Sequence, residues 1–489
     1  MATEASPGIL TLPLELYICI FQSLYPPDLL SLGQTCKGIR NVVCQRHVWD
    51  FALRVTCRVN QLFAPSYHPL QGLDLADLRR AALEPWSRCT RFAQRSREGL
   101  ASNPSASRIE SILLNGGTDG ERFEEVCIVP GGRYVFGMTR TRVCLWDLGQ
   151  TGKTPTISCE PREPVHVMHA ELGMTLWSMS APTHISTSTF RFATAEDWSF
   201  HVYEVGPLPH NVEIRQIARL RDLAPALAVD EFWIQGDRVM CHLNEGTVIW
   251  DYVKSEYVAV PTRGTASMMN TIGNHIVAWE NLSNGVWTIP PLHPLLPCSS
   301  QELPELLSDD FTNGIDLGMI QDTEDKSLWP TSRIRLPSGW YVQPPNALEY
   351  TVLHFAEDEA QVVVKRHLLD IPTGDGTHSA QTLLSSSQPT DKDLAPRCEK
   401  PYRYICGSLA TVVNPGEARN IHVTHSVGDD VRQRGVDEIS YLSRDIGLAN
   451  AIDFSYCPAT GRVAYIPVPI ERSSSPSPDS QIHVLYLDC

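Results

Sequence analysis

Several features that mark membrane-bound and secreted proteins are missing from this sequence. No apolar run approaches the roughly 18–20 residues that a membrane-spanning helix requires. The first residues carry the acidic Glu4 and no basic cluster, and Pro13 and Glu15 interrupt the apolar segment that follows, so the sequence predicts no signal peptide. We therefore expect an intracellular protein, cytoplasmic or nuclear, that binds no membrane.

The motifs of metal sites are missing as well. The 14 cysteines form no Cys-x-x-Cys pair, and no Cys and His residues have the spacing of a zinc site. His166 and His169 are three residues apart on a predicted strand, which places them on opposite faces. We expect free, buried thiols and no bound metal.

Motifs of enzymes are equally scarce. The sequence has no His-Glu-x-x-His and no Gly-x-Ser-x-Gly. The segment 149–154 ends like a phosphate-binding loop, but Asp147 stands where that loop needs its first glycine, and Pro155 prevents a helix from following. We expect an ordinary turn there, no cofactor, no catalytic residue and a protein that is not an enzyme.

The charge is negative and unevenly distributed. The formal net charge is −16, yet residues 1–108 hold 12 Lys/Arg and 8 Asp/Glu, a balance of +4 that leaves −20 for residues 109–489. So acidic a body argues against binding to the phosphate backbone of a nucleic acid. It favours a basic protein partner.

The first fifty residues are rich in short, apolar helical patterns. Leu16, Ile20 and Leu24 are four apart, which predicts one apolar helical face. Pro26–Pro27 are predicted to stop that helix, and Asp28 to cap the next one. A second apolar set follows at Leu29, Leu30 and Leu32. Helices this short cannot bury so much apolar surface among themselves, so either the rest of the chain or another protein must cover it.

This run resembles an F-box, the adaptor-docking motif of substrate receptors in Skp–cullin–RING ubiquitin ligases. The positions that carry the pattern are Leu12, Pro13, Glu15, Leu16, Ile20, Phe21, Leu24, Asp28, Leu29, Leu30, Cys36, Lys37 and Trp49. The match covers about a tenth of the chain and keeps the order and the approximate spacing of the family.

The resemblance implies that the chain is the substrate-recognition subunit of a Skp–cullin–F-box ubiquitin ligase. A Skp-type adaptor, and through it a cullin, would then be its partners, with ubiquitin transfer driven by proximity. The adaptor-binding residues that it implies are Leu12, Pro13, Leu16, Ile20, Leu24, Leu29, Leu30, Leu32 and Trp49. The alternative is a non-catalytic scaffold, whose F-box-like helices bind an adaptor outside ubiquitination or pack against the chain itself.

After Ile109 the pattern changes to short apolar runs separated by turn residues. The segment 126–147 reads as three strands and ends in Trp146-Asp147, which resembles a blade of a WD-repeat β-propeller, with the aromatic on the third strand. Aromatics recur in similar settings at Tyr203, Trp250 and Trp287, at intervals compatible with blades of about 40–50 residues. We prefer a propeller of six to eight blades over a pair of β-sandwiches, which would not predict the recurrent aromatic.

The sequence therefore predicts an α+β multidomain protein, a small all-α F-box and helical linker followed by a large all-β propeller-like domain. Residues 1–8 are expected to be disordered, 9–55 to form the F-box, 56–106 a helical linker and 107–489 a propeller-like, substrate-binding domain. Mobile loops are expected near 300–328, 372–399 and 471–480. Trp340 is favoured as the beginning of a strand over a binding hot spot, and no substrate-binding residue is identified.

Overall fold

The structure is a computed structural model, and it describes the helical region almost completely and the remainder of the chain in segments. The described residues are 12–97, 110–116, 121–153, 161–197, 199–220, 229–243, 246–261, 268–272, 275–280, 283–289, 291–294, 319–320, 333–335, 340, 347–355, 361–370, 379–389, 404–406, 409–415, 420–427, 440–445, 451–467 and 481–486. The predicted disordered segment 1–8 and the predicted loop 471–480 lie outside these residues.

The N-terminal region is helical. Its α-helices are α1 (Leu14–Phe21), α2 (Pro26–Gly33), α3 (Lys37–Val43), α4 (Arg46–Val59) and α5 (Leu75–Arg97). Two short 3-10 helices, Ala64–Tyr67 and Leu70–Gly72, connect α4 to α5.

The boundary between α1 and α2 differs from the prediction. Helix α1 ends at Phe21, before the prolines, and Pro26–Pro27 are instead the first two residues of α2. Proline suits these positions because its missing N–H has no partner in the first turn of a helix. Asp28 is not the cap, which is Tyr25; it lies in the first turn, where a negative charge interacts favourably with the helix dipole.

The remainder of the described chain is built from strands. In chain order they are β1 (Glu110–Asn115), β2 (Glu125–Ile128), β3 (Tyr134–Met138), β4 (Arg142–Asp147), β5 (His166–His169), β6 (Leu176–Met179), β7 (Thr183–His184), β8 (Phe190–Glu196), β9 (Ser199–Val205), β10 (Ile214–Leu220), β11 (Val229–Gln235), β12 (Arg238–Leu243), β13 (Gly246–Asp251), β14 (Glu256–Pro261), β15 (Met268–Ile272), β16 (His275–Glu280), β17 (Ser283–Thr288), β18 (His293–Pro294), β19 (Met319–Ile320), β20 (Arg333–Arg335), β21 (Ala347–Phe355), β22 (Gln361–Asp370), β23 (Ser379–Pro389), β24 (Tyr404–Cys406), β25 (Leu409–Pro415), β26 (Asn420–Val427), β27 (Ser440–Asp445), β28 (Ala451–Cys457), β29 (Arg462–Pro467) and β30 (Gln481–Tyr486).

These strands form seven antiparallel sheets within the described residues. The first sheet holds β2 to β5, the second β6 to β10, the third β11 to β14 with β18, the fourth β15 to β17 with β19, the fifth β20 to β23 and the sixth β24 to β27. In the seventh sheet, β28 to β30 are completed by β1 from the other end of the region, with Glu110 opposite Tyr486. This closure, with β2 lying against β28, makes the sheets a ring, the arrangement of a β-propeller.

The recurrent aromatics lie where the blade pattern predicts them. Trp146 is on β4, Tyr203 on β9, Trp250 on β13 and Trp287 on β17, and each strand is the third in the hydrogen-bonded order of its sheet. Trp146, Tyr203 and Trp250 are buried. The predicted fold class, a small helical region followed by a large all-β propeller-like region, is confirmed.

The predicted loops need correction where strands occupy them. The strand β23 lies inside the expected loop 372–399, and the two-residue strand β19 lies inside the expected loop 300–328. Among the described strands, β23 pairs with β22 alone and lies at the edge of its sheet, so backbone hydrogen bonds hold it although its sequence is polar. The other residues of these two predicted loops lie outside the described residues.

A short segment joins the helices to the ring. Phe63 is fully buried, and its ring packs against Tyr134 of the first sheet (centroids 6.1 Å apart), Phe190 of the second (5.4 Å) and Trp340 of the fifth (5.6 Å). Trp340 lies in a turn between β20 and β21 rather than at the beginning of a strand. Phe63 therefore contacts residues that come from three different parts of the all-β region.

Hydrogen bonds reinforce this joint. The N–H of Phe63 donates to the Pro130 carbonyl (2.9 Å), and Trp340 Nε1 donates to the carbonyl of Gln61 (2.6 Å). Arg133 forms a bidentate ion pair with Asp147 (2.8 and 2.7 Å) and also donates to the carbonyls of residues 65 and 68. The hydrophobic core runs without a break from α1 into the seventh sheet, so the helices are seated on the ring as one packed body.

A glycine in the turn between β28 and β29 leaves room for the Arg88 side chain of helix α5. Gly461 adopts a φ of +65°, and a Cβ there would collide with the guanidinium of Arg88 from α5. The Arg88 side chain is buried and pairs with Glu84 at 2.7 Å. A side chain at position 461 would therefore strain the backbone and displace the guanidinium of Arg88.

Candidate docking surface on the N-terminal helices

Helix α1 is apolar on nearly every side. Glu15 is its one charged residue, and the other seven are Leu, Tyr, Ile, Cys and Phe. Tyr17 and Phe21 are buried against the chain's own core, with their rings 5.8 Å apart. Leu16, on another side, is 48% exposed. A helix that is apolar all round is normally buried on all sides, so the side that carries Leu16 has the composition of a surface that a partner covers.

The neighbouring predicted contacts are partly exposed. Pro13 is exposed, and five residues are half-buried at the edge of the core, namely Leu12, Ile20, Leu24, Leu30 and Leu32. The sequence predicted an uncovered face through Leu16, Ile20 and Leu24, and the structure exposes Leu16 more fully than the other two. Leu24 lies beyond the end of α1, in the turn towards α2.

Two predicted adaptor contacts belong to the interior instead. Leu29 is 1% exposed and Trp49 is fully buried, with its Nε1 donating to the carbonyl of Val43 at 2.7 Å. The guanidinium of Arg79 lies 5.1 Å from the indole centroid. We therefore assign Leu29 and Trp49 to the core and remove them from the docking surface. The motif could not separate the two groups, because apolar residues occupy both the inner and the outer faces of these helices.

Polar groups surround the apolar residues of this surface. Gln22, Ser23, Ser31, Gln34 and Thr35 are exposed, and Thr35 Oγ1 donates to the Leu32 carbonyl at 2.7 Å. An apolar centre with a polar rim is the usual anatomy of a protein interface.

The other candidate sites from the sequence are the segment that resembles a phosphate-binding loop and possible metal ligands. The described part of the segment 149–154, which ends like a phosphate-binding loop, lies in a turn, where Thr151 donates from its N–H to the Ser66 carbonyl (2.8 Å) and from its Oγ1 to the Gly131 carbonyl (2.7 Å). This turn thus helps to seat the linker on the ring. Within the residues that the structure describes, no group of three or more His, Cys, Asp and Glu could hold a metal ion.

The cysteines that the structure describes in full are free thiols. They are Cys19, Cys36, Cys44, Cys57, Cys127, Cys144, Cys241 and Cys457. Burial raises the pKa of the Cys57 thiol to about 12, which keeps it protonated and unreactive. Cys19 and Cys44 are exposed, contrary to the expectation that the thiols are buried.

A protein-family comparison matches the same helices. Residues 9–53 match the model of the F-box-like family. F-box domains generally bind Skp-type adaptors. No curated protein sequence matches the chain significantly.

Solved structures with similar architecture are distant in sequence. U3-55K aligns with a TM-score of 0.39 and 10% identity over 77% of this chain and 98% of its own. The WD40 repeats of RRP9 align with a TM-score of 0.39 and 8% identity over 78% and 98%. Hsv2 from Kluyveromyces lactis aligns with a TM-score of 0.35 and 7% identity over 73% and 96%. With TM-scores this low, the architecture of the chain rests on its own sheet order and ring closure.

The chain thus combines an F-box-like domain with a propeller-like ring of sheets. F-box domains are generally protein-interaction modules. Among the described helices, none is both long and apolar enough to cross a membrane.

Proposed function

We propose that this chain is the substrate-recognition subunit of a Skp–cullin–F-box ubiquitin ligase. The observation that carries the proposal is the exposed Leu16 side of α1, inside a segment that matches the F-box-like family. The adaptor would cover this side together with the half-buried leucines and Ile20 around it. The ring would hold the substrate, so that ubiquitin transfer occurs by proximity.

The joint around Phe63 supports a protein in which the helices bind the adaptor and the ring binds the substrate. Proximity raises the effective concentration of a substrate only when the connection between the two binding surfaces has a suitable geometry. The continuous core and the hydrogen bonds from Arg133, Gln150 and Thr151 to the segment 65–69 hold the docking surface in a defined position on the ring.

The alternative is a scaffold that uses these helices differently. The half-burial of Ile20 and Leu24 against the core is the observation that favours packing within the chain. Adaptor binding without a cullin would instead indicate a role outside ubiquitination.

Direct binding to a purified Skp-type adaptor tests the docking surface. We expect the Leu16→Asp substitution to weaken binding by about 2 kcal/mol or more, a factor of about 30 in Kd, because it places a charge in an apolar interface. The double substitution Leu16→Asp/Ile20→Asp should abolish binding, although Ile20 also contacts the core.

Leu172→Asp is the matched control, because Leu172 is a fully exposed leucine on the ring. It should bind the adaptor like the wild type. Equal affinity of wild type and a folded Leu16→Asp variant would refute the docking role.

A further inference from the structure

The end of the ring that faces away from the helices carries an exposed tryptophan. The helices contact the turn between β2 and β3 and the segment after β4. At the opposite end lie the turn between β8 and β9 and the loop that leads from β5 into β6. Trp177, the second residue of β6, is at this end and is 59% exposed. Leu172, in the preceding loop, is fully exposed.

The indole of Trp177 is held in place by a carboxylate. Its Nε1 donates to Asp197 Oδ1 at 3.1 Å, and the N–H of Thr175 donates to Asp197 Oδ2 at 3.1 Å. Asp197 follows β8 in a tight turn and has a φ of +28°, a conformation that few residues other than glycine, Asn and Asp adopt readily. Backbone strain of this kind is retained where the surrounding structure fixes it. The ring of Trp177 is thus both exposed and oriented.

Two carboxylates accept hydrogen bonds from the segment 175–179, which includes Trp177. Asp197 accepts only neutral donors among its described contacts, and Glu125 accepts hydrogen bonds from Ser178 Oγ (3.1 Å) and the N–H of Met179 (2.8 Å). Three further carboxylates at this end pair with arginines, in the pairs Glu121–Arg142, Glu124–Arg140 and Glu171–Arg219.

We propose that Trp177 and Asp197 form a recognition site for a lysine or arginine side chain of an extended protein segment. The cation would lie over the indole face, where the ring quadrupole attracts it, and near the Asp197 carboxylate. Leu172 would contact the aliphatic part of the same segment. Trp is the best aromatic partner for a cation, and its N–H bond to a carboxylate leaves the ring face free.

The charge of the chain argues for a basic occupant. Residues 109–489 carry a balance of −20, which would attract a basic segment to this part of the chain and repel an acidic one. If the proposed function holds, this site would contact the recruited substrate; the binding itself does not depend on the adaptor.

A fluorescein-labelled octapeptide of alternating Ser and Lys, titrated with the full chain, tests the site by fluorescence anisotropy. Trp177→Ala should weaken binding about 5- to 30-fold, and Trp177→Phe less, because Phe keeps an aromatic face. Asp197→Asn should weaken binding about 2- to 5-fold. Asn tolerates the positive φ and keeps one acceptor oxygen, so this variant removes the charge and one of the two hydrogen bonds that Asp197 accepts.

Two controls separate binding at the Trp177 site from nonspecific electrostatic attraction between the acidic chain and a basic peptide. Glu213→Gln removes one exposed charge at the end of the ring that faces the helices, and it should leave binding unchanged. An octapeptide with Gln in place of Lys should not bind. The proposal is overturned if Trp177→Ala and Asp197→Asn bind like the wild type, or if Glu213→Gln is as weak as Asp197→Asn. Adaptor affinity, measured on the same variants, should stay unchanged, so a failure here and a failure of adaptor docking are distinct results.

Discussion

Leu16 and Trp49 show that the position of a residue in the fold determines whether it can contact a partner. Both belong to the same sequence motif, yet Leu16 is exposed and Trp49 is fully buried with its indole N–H bonded to Val43. The motif predicted that the region binds a partner but not which side chains are free to do so. Which residues are exposed depends on how α1 and α4 pack. The sequence does not show this, because apolar residues occupy both the inner and the outer faces of these helices.

Phe63 is the residue on which the joint between helices and ring most depends. Replacing it with alanine should lower the free energy of unfolding by about 3–5 kcal/mol, because the cavity would lie among several aromatic rings. Chemical denaturation, with Phe63→Leu as the milder control, measures this. A loss below about 1 kcal/mol would contradict the tight packing of Phe63 between the helices and the ring.

The buried Glu196 in the second sheet predicts a dependence of stability on pH. Burial raises the pKa of its carboxyl above the usual range, so the folded state holds this proton more tightly than the unfolded state. Its contribution to stability is therefore greatest below the unfolded pKa of about 4.5 and is lost as the pH rises through the raised value. The Glu196→Gln substitution should remove the part of the loss of stability at rising pH that is due to Glu196.

Urea unfolding of wild type and Glu196→Gln at pH 4, 5.5 and 7 measures the difference. We expect the variant to gain stability relative to the wild type as the pH increases. A difference that does not change with pH would show that Glu196 titrates normally.

Among the elements, the strands were predicted best where side chains carried the pattern. The strands β4, β9, β13 and β17 could be recognised because each carries an aromatic residue at a similar place in the blade pattern. The strand β23 could not, because an edge strand is defined by its backbone bonds to β22. The beginning of α2 was missed for a similar reason: Pro26–Pro27 signal a break, but proline also starts helices.

The joint segment 61–73 is the element whose order should depend on Arg133. Arg133 donates to the carbonyls of residues 65 and 68, and replacement by methionine would leave both without this donor. We expect Arg133→Met to increase hydrogen exchange of this segment at least tenfold, since each bond to a charged donor contributes about 1.5–3 kcal/mol.

Arg140→Met is the matched control for that experiment. Arg140 also pairs with a carboxylate, Glu124, at 2.8 Å, but its side chain is 69% exposed and lies at the other end of the first sheet. Exposed ion pairs contribute little to stability, so the exchange of 61–73 should not change. Equal effects of the two variants would show that Arg133 has no special role in the joint.

At the scale of the whole molecule, the packed joint gives the chain two distinct ends. The docking surface lies on the helices, and the Trp177 site lies on the end of the ring that faces away from them. The sequence predicted the two parts but not their contact, because Phe63 and Trp340 are far apart in the chain and neither belongs to a recognisable motif. Ring closure by β1 and β30 is likewise a pairing of distant segments.

The most direct test is affinity purification of the full chain from cells with the proteasome blocked, followed by quantitative mass spectrometry of the adaptor and the cullin. Wild type and Leu172→Asp should recover both proteins, and Leu16→Asp should lose both together by at least tenfold. Equal recovery with Leu16→Asp, or an adaptor recovered without any cullin, would contradict the proposed role in a ubiquitin ligase.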